Sequence, residues 1–256
     1  MLRKTLVAVA TLLVCVAQTS AGEVLHVYGP GGPAPAIKAA ARAFSAVEGI
    51  EVQVTAGPTS AWSEKFKQDG DLIYSGSEAM MSDFVTQFDG ALVASSIEPL
   101  YVRPAAILVR PGNPKHIRGF RDLLTPGIGL LVVHGAGQVG LWEDIAGRAG
   151  NIRTLQALRH NIQVFAANSA AAKSQWEANP NLDAWIIYGI WAIANPGIAQ
   201  VVELERRYRL YRDCGLALTP TGQRSPATLH FIEFLKSPEG RKIFVKFGWT
   251  DPTHVE

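Results

Sequence analysis

HVYGPGGPAPAI, residues 26–37, is the stretch on which the reading of the fold turns. Val24, Leu25 and Val27 make a short apolar run of strand type. After the break, Ile37, Ala40, Ala41 and Phe44 recur at helical spacing. Between them Gly29-Pro30-Gly31-Gly32-Pro33 leaves backbone N–H groups uncovered at the start of a helix. Such a loop makes a tight turn or holds an anion. Taken alone, a glycine-rich turn is the ordinary reading.

The same strand-to-helix grammar repeats along the chain. VLHVY, IEVQVTAG, DLIYSG, AAILVR, IGLLVVHG, IQVFAA, AWIIYG and VVELE are apolar, β-branched runs of strand length. Helical segments are expected between them at 35–47, 60–68, 79–88, 139–149, 152–160, 169–178, 189–194 and 225–246. The alternation predicts an α/β protein with largely parallel sheet. RPGNPKHIRG, residues 110–119, is polar and rich in Pro and Gly, and is expected to be a loop near a domain crossover. In the last long segment, apolar residues from Leu229 to Phe244 suit two packed helices separated by Ser-Pro-Glu-Gly at 237–240. That segment is packing rather than chemistry.

Composition narrows the function classes. The 256 residues are 48% hydrophobic, enough for one large core or two modest ones. Residues 1–21 read as a cleaved secretory signal. Arg3 and Lys4 form the positive region, Leu6 to Val16 the apolar run, and Thr19-Ser20-Ala21 the small-residue site. A lipoprotein reading would use Cys15, where Val14 fits lipid attachment poorly. No later segment has the length and apolarity of a membrane span. Without Arg3 and Lys4 the mature chain carries 22 basic and 22 acidic side chains. That balance argues against nucleic acid as a partner. Cys214 is the one cysteine beyond the signal, so no internal disulfide and no thiolate metal cluster is expected.

Five junctions carry small, unhindered residues: Gly31-Gly32, Gly57-Pro58-Thr59-Ser60, Ser75-Gly76-Ser77, the run Gly135 to Gly140 with Gly137, Gln138 and Val139, and Asn168-Ser169-Ala170. In open parallel sheets the C-terminal strand ends share one crevice. Helix starts meeting there would offer N–H donors and positive dipole ends to a small anion. Each junction alone is as readily a turn or an N-cap. Enzymatic signatures are lacking. The six histidines show no ligand spacing, and Glu143-Asp144 suits the first turn of a helix. Ser75 and Ser77, the serines a hydrolase would use, lack the G-x-S-x-G frame. No enzyme, metal or cofactor is expected.

In this order the loops resemble the accessory colonization factor AcfC family. HVYGPGGP, TAGPTSAWSEK, DLIYSGSE, GAGQVGLWEDIAGR, NSAAAK, LDAWIIYGIWAIANP and YRLYRDCGLALT carry the resemblance over most of residues 23–249. That family is similar to type II periplasmic binding proteins, with molybdate- and sulfate-binding proteins as more distant relatives. The resemblance implies two α/β lobes with ligand trapped between them. Lobe one would be 22–104 plus 207–256 and lobe two 105–206, with crossovers near Arg103–Ala105 and Arg206–Tyr208, both expected to be strand. By analogy with the molybdate-binding pattern, Gly32 stands where that pattern has a serine and offers only its backbone N–H. Thr59 or Ser60 would supply a hydroxyl, Val139 and Ala170 helix-start amides, and Tyr188 a phenol.

Arg103 at one crossover and Arg212 beyond the other are the side chains suited to bidentate recognition of carboxylate or phosphate. Arg212 could instead pair structurally with Asp213 or Glu205. Trp62, Trp142, Trp185 and Trp191 read as core, with Trp62 also placed to wall the cleft. The resemblance thus implies a periplasmic protein that captures a small anion, either an inorganic oxyanion or a phosphorylated or carboxylated organic acid. An inner-membrane ABC transporter permease or a chemoreceptor would be its partner. The alternative from a different class is surface colonisation or adhesion.

Overall fold

The computed structural model describes residues 24–135 and 137–250, so the expected signal segment lies outside the described residues. β1 (Val24–Gly29) leads through the glycine loop into α1 (Ala34–Glu48), whose first turn holds Pro35 and whose end is capped by Gly49 at φ 70°. Proline at a helix start and glycine in the left-handed region past its end are the expected punctuation. β2 (Glu51–Ala56) and a 3-10 turn over Thr59–Ala61 precede α2 (Ser63–Asp69). β3 (Leu72–Tyr74) enters α3 (Glu78–Gln87), and β4 (Glu98–Val109) is the longest strand.

The middle of the chain alternates β5 (Leu130–Val133), α4 (Leu141–Gly147), α5 (Ile152–Asn161), β6 (Ile162–Ala166), α6 (Ser169–Ala178) and β7 (Ala184–Tyr188). α7 (Ile190–Ala194), β8 (Gln200–Glu203), β9 (Tyr211–Leu218), α8 (Pro226–Lys236) and α9 (Pro238–Lys246) complete it. The expected helix at 60–68 is split by the 3-10 turn, and the one at 139–149 starts at Leu141.

The strands join in the order β2-β1-β3-β9-β4-β7-β5-β6, with β8 on β4 beside that path. β4 ties two halves together. Its residues up to Pro104 pair with β9, Arg103 opposite Arg212, whereas Ala105–Val109 pair with β7 and Ala106–Val109 with β8. In the first half β1 lies parallel to β2 and β3, and in the second β5 lies parallel to β6 and β7. β5 and β7 are buried along their whole length, which is why they read as unbroken apolar runs.

The return passage differs from expectation. Arg206–Tyr208 is a 3-10 turn rather than a strand. The Tyr208 ring packs on Phe120 at 4.3 Å, and a Glu205 carboxylate oxygen accepts the Phe120 N–H at 2.8 Å. Those anchors hold a turn against the 120–124 segment where a ladder would otherwise run.

Apolar packing fixes the strand ends. One core cluster runs through both halves, from Leu25 and Phe44 to Trp176 and Trp185. A second gathers Tyr28, Trp62, Phe66, Phe84 and Phe88 beneath the first half. Trp62 therefore belongs to the core. Its indole N–H donates to the Gly57 carbonyl at 3.1 Å and braces that loop from behind.

Candidate functional site

All five small-residue junctions contribute to one cavity of ≈ 70 Å³ between the two halves. Gly31, Gly32, Gly57, Thr59 and Gly76 line it from the first half. Gln138, Asn168, Ser169, Ala170 and Tyr188 line it from the second, with Arg103 on the connecting strand. Met80, Trp191 and three prolines supply most of the apolar wall. Clefts that hold drug-sized ligands measure roughly 300–1,000 Å³. This cavity suits an anion of few atoms.

Arg103 dominates its electrostatics. The residue is 3% exposed. Nη2 donates to the Gly76 carbonyl at 2.7 Å, and Nη1 to those of Asp213 at 2.8 Å and Arg212 at 3.4 Å. Its guanidinium lies 3.8 Å from the Tyr188 ring centroid and 4.6 Å from that of Trp249. Burial pulls its pKa down, opposed by Tyr188, Cys214 and Asp213. A guanidinium nonetheless stays protonated in a protein. Nε is buried without a partner, and among the described residues no carboxylate forms an ion pair with it. A buried cation outside ion-pair distance of any carboxylate carries a desolvation cost of several kcal/mol that its neighbours offset only in part.

Local sequence explains how the loops are held. Ser77 and Asn168 are N-caps, accepting from Met80 N at 3.2 Å and Ala171 N at 2.9 Å. Gly137 adopts φ 78°, and a Cβ there would lie 3.1 Å from Ser77 Oγ. The loop around 137 thus abuts the first half closely across the cleft. The Gln138 side chain donates to Ser169 Oγ at 2.7 Å, tying two second-half loops together. Tyr188 is buried, desolvation raises its pKa, and its hydroxyl donates to the Gly137 carbonyl at a long 3.5 Å.

Other expected residues stand elsewhere. Ser60 is exposed on the 3-10 turn, and Val139 is exposed ahead of α4. Ser75 is wholly buried, its hydroxyl accepting the Gly215 N–H at 3.3 Å. Neither Ser75 nor Ser77 bonds a histidine or carboxylate among the described residues. Arg212 pairs with neither Asp213 nor Glu205. Its Nη2 bonds the carboxylate of Asp144 on α4, so the ion pair joins the two halves. No cluster of three metal-ligating His, Cys, Asp or Glu occurs among the described residues. No described helix is long and apolar enough to cross a membrane.

Sequence reasoning missed Trp191, Met80 and Asp144. Trp191 follows Tyr188 by three residues around a helix start, a spacing that keeps both near one strand end. Nothing local marks Asp144, whose partner lies 68 residues away.

The family model for bacterial extracellular solute-binding proteins matches residues 25–250. The chain belongs to that family. PEB3 from Campylobacter jejuni is 36% identical, with a TM-score of 0.83, covering 89% of this chain and 99% of its own. PEB3 with L-phospholactate bound is 35% identical, with a TM-score of 0.84 and the same coverage. The sulfate-binding protein SubI from Mycobacterium tuberculosis H37Rv is 22% identical, with a TM-score of 0.74, covering 91% of this chain and 88% of its own. No curated protein sequence matches the chain. This solute-binding protein has the two-lobed type II periplasmic-binding fold, and its cleft lies where the two lobes face each other.

Proposed function

We propose that this protein captures a small anion in the cleft, a tetrahedral oxyanion or a short phosphorylated or carboxylated organic acid. The observation that carries the reading is Arg103, a buried cation lining the cavity with no carboxylate partner. An anion placed there supplies the missing charge. The α1 and α6 starts add backbone N–H donors and positive dipole ends. L-phospholactate on PEB3 and sulfate as the named ligand of SubI support the class.

In this reading the lobes are 22–104 plus 207–256 and 105–206, and ligand entry precedes their closure. Closing excludes water, which strengthens each polar bond to the anion. Export through a cleaved signal peptide places the protein in the periplasm, where it hands the ligand to an inner-membrane ABC permease or a receptor. A thermal-shift panel of phosphate, sulfate, molybdate, L-phospholactate, phosphoglycerates and dicarboxylates tests it. Ligand at a hundredfold its dissociation constant adds about 2.7 kcal/mol of stability. A shift with a metal ion and with none of the anions overturns the proposal.

A further inference from the structure

We infer that Trp191 is a ligand-contacting residue, its indole N–H donating to the bound anion across the cleft from Gly31 and Gly32. The inference rests on the anion-binding reading above. Trp191 lines the cavity from α7, in the half of the molecule opposite the glycine loop. A Cβ built on Gly32 would lie 3.9 Å from Trp191 Nε1, and one on Gly31 would lie 3.9 Å from Cη2. Both distances are ordinary van der Waals contact, so the N–H edge of the indole faces the glycine pair at close range.

The donor itself is free. Trp62 Nε1 donates to Gly57 O, and Trp176 Nε1 donates to Ile198 O at 2.9 Å. Trp191 Nε1 has no hydrogen-bond partner among the described residues. The ring is held in place by other means. It packs on Trp185 with centroids 6.1 Å apart, while Asn195 fastens the Trp191 carbonyl through Nδ2 at 2.9 Å. A tryptophan N–H beside an anion site finds an acceptor when the site fills. Gly32 brings no side-chain donor, and the indole opposite supplies one. The bond spans the lobes, so it forms only in the closed, occupied cleft.

The test is Trp191→Phe, which keeps an aromatic wall and removes the N–H. Calorimetry would titrate wild type and variant with L-phospholactate, phosphate, sulfate and molybdate. For each anion that wild type binds, the variant should bind ten- to a hundredfold more weakly, as expected for one bond to a charged acceptor. In wild-type protein, the Trp191 indole N–H proton resonance should move on saturation with that anion, an observation independent of how the variant folds. Wild-type affinity in the variant, or an unmoved indole resonance, overturns the inference and leaves the anion reading standing. Binding by wild-type protein of none of these four anions, nor of phosphoglycerates or dicarboxylates, overturns both.

Discussion

Replacing Arg103 with methionine keeps most of the apolar stem and removes the guanidinium. A guanidinium has five N–H donors, and three bonds go to the carbonyls of Gly76, Arg212 and Asp213. Two donors remain for a ligand. Each bond to a charged group is worth about 1.5–3 kcal/mol, so losing a cooperating pair costs binding at least ~3 kcal/mol, on the order of a hundredfold in Kd. The empty protein feels opposing effects. The Gly76 and Asp213 carbonyls each lose a donor, costing about 1–3 kcal/mol apiece, while a buried charge without a carboxylate partner no longer has to be desolvated. Apo stability should therefore shift by no more than about 2 kcal/mol. Arg103→Lys, which keeps the charge and loses the fork, should fall between. Calorimetry with L-phospholactate and sulfate, beside melting curves of the empty proteins, reads both quantities. Full affinity together with a large drop in melting temperature would refute the reasoning and make Arg103 a brace between β4 and β9.

The Arg212–Asp144 pair joins the lobes at partly exposed side chains, so Arg212→Met should expand the empty protein in small-angle scattering and weaken binding a few-fold through a smaller closed fraction. The effect should vanish in high salt; unchanged scattering and affinity at low salt count against it. Tyr188→Phe removes the hydroxyl that makes only a long bond to Gly137. As a ligand donor its loss costs binding about 1.5–3 kcal/mol; unchanged affinity with a lower apo melting temperature assigns it to the core. Burial pushes the Cys214 thiol up to about 12, with Arg103 opposing. A folded pKa above the unfolded one gives stability present below about pH 8.5 and lost as pH rises towards the folded value. Cys214→Ala should flatten that alkaline loss of stability, and an unchanged alkaline slope contradicts the assignment.

Much of the fold was legible because its physical signals were local. β5 and β7 are buried on both faces, so LLVV and AWIIY stood out as apolar runs. The N-caps of α3 and α6 are the Ser77 and Asn168 that the junction pattern singled out. β9 was hidden because Arg212, Asp213 and Gly215 interrupt its apolar pattern, and its place depends on pairing with β3 and β4. The Arg103–Ala105 crossover was expected as strand and lies within β4, whereas the start of that strand, from Glu98 on, was missed because Pro99 interrupts its pattern.

The cleft was legible as a set of loop starts, and less so as side chains. Trp191 reads as core by composition, and only the folded chain sets its N–H edge opposite Gly32. Asp144 looked like a first-turn acid suited to a helix dipole. Its bond to Arg212 comes from the packing of one lobe on the other.

Native mass spectrometry of the mature protein, purified with no added ligand and then incubated with L-phospholactate, phosphate, sulfate and molybdate, tests the central claim most directly. The account predicts one bound small anion per chain, either co-purified or taken up from that set. The added mass should be lost on unfolding and sharply reduced in Arg103→Met. A bare chain under every one of those conditions, or equal retention of the anion by Arg103→Met, would contradict it.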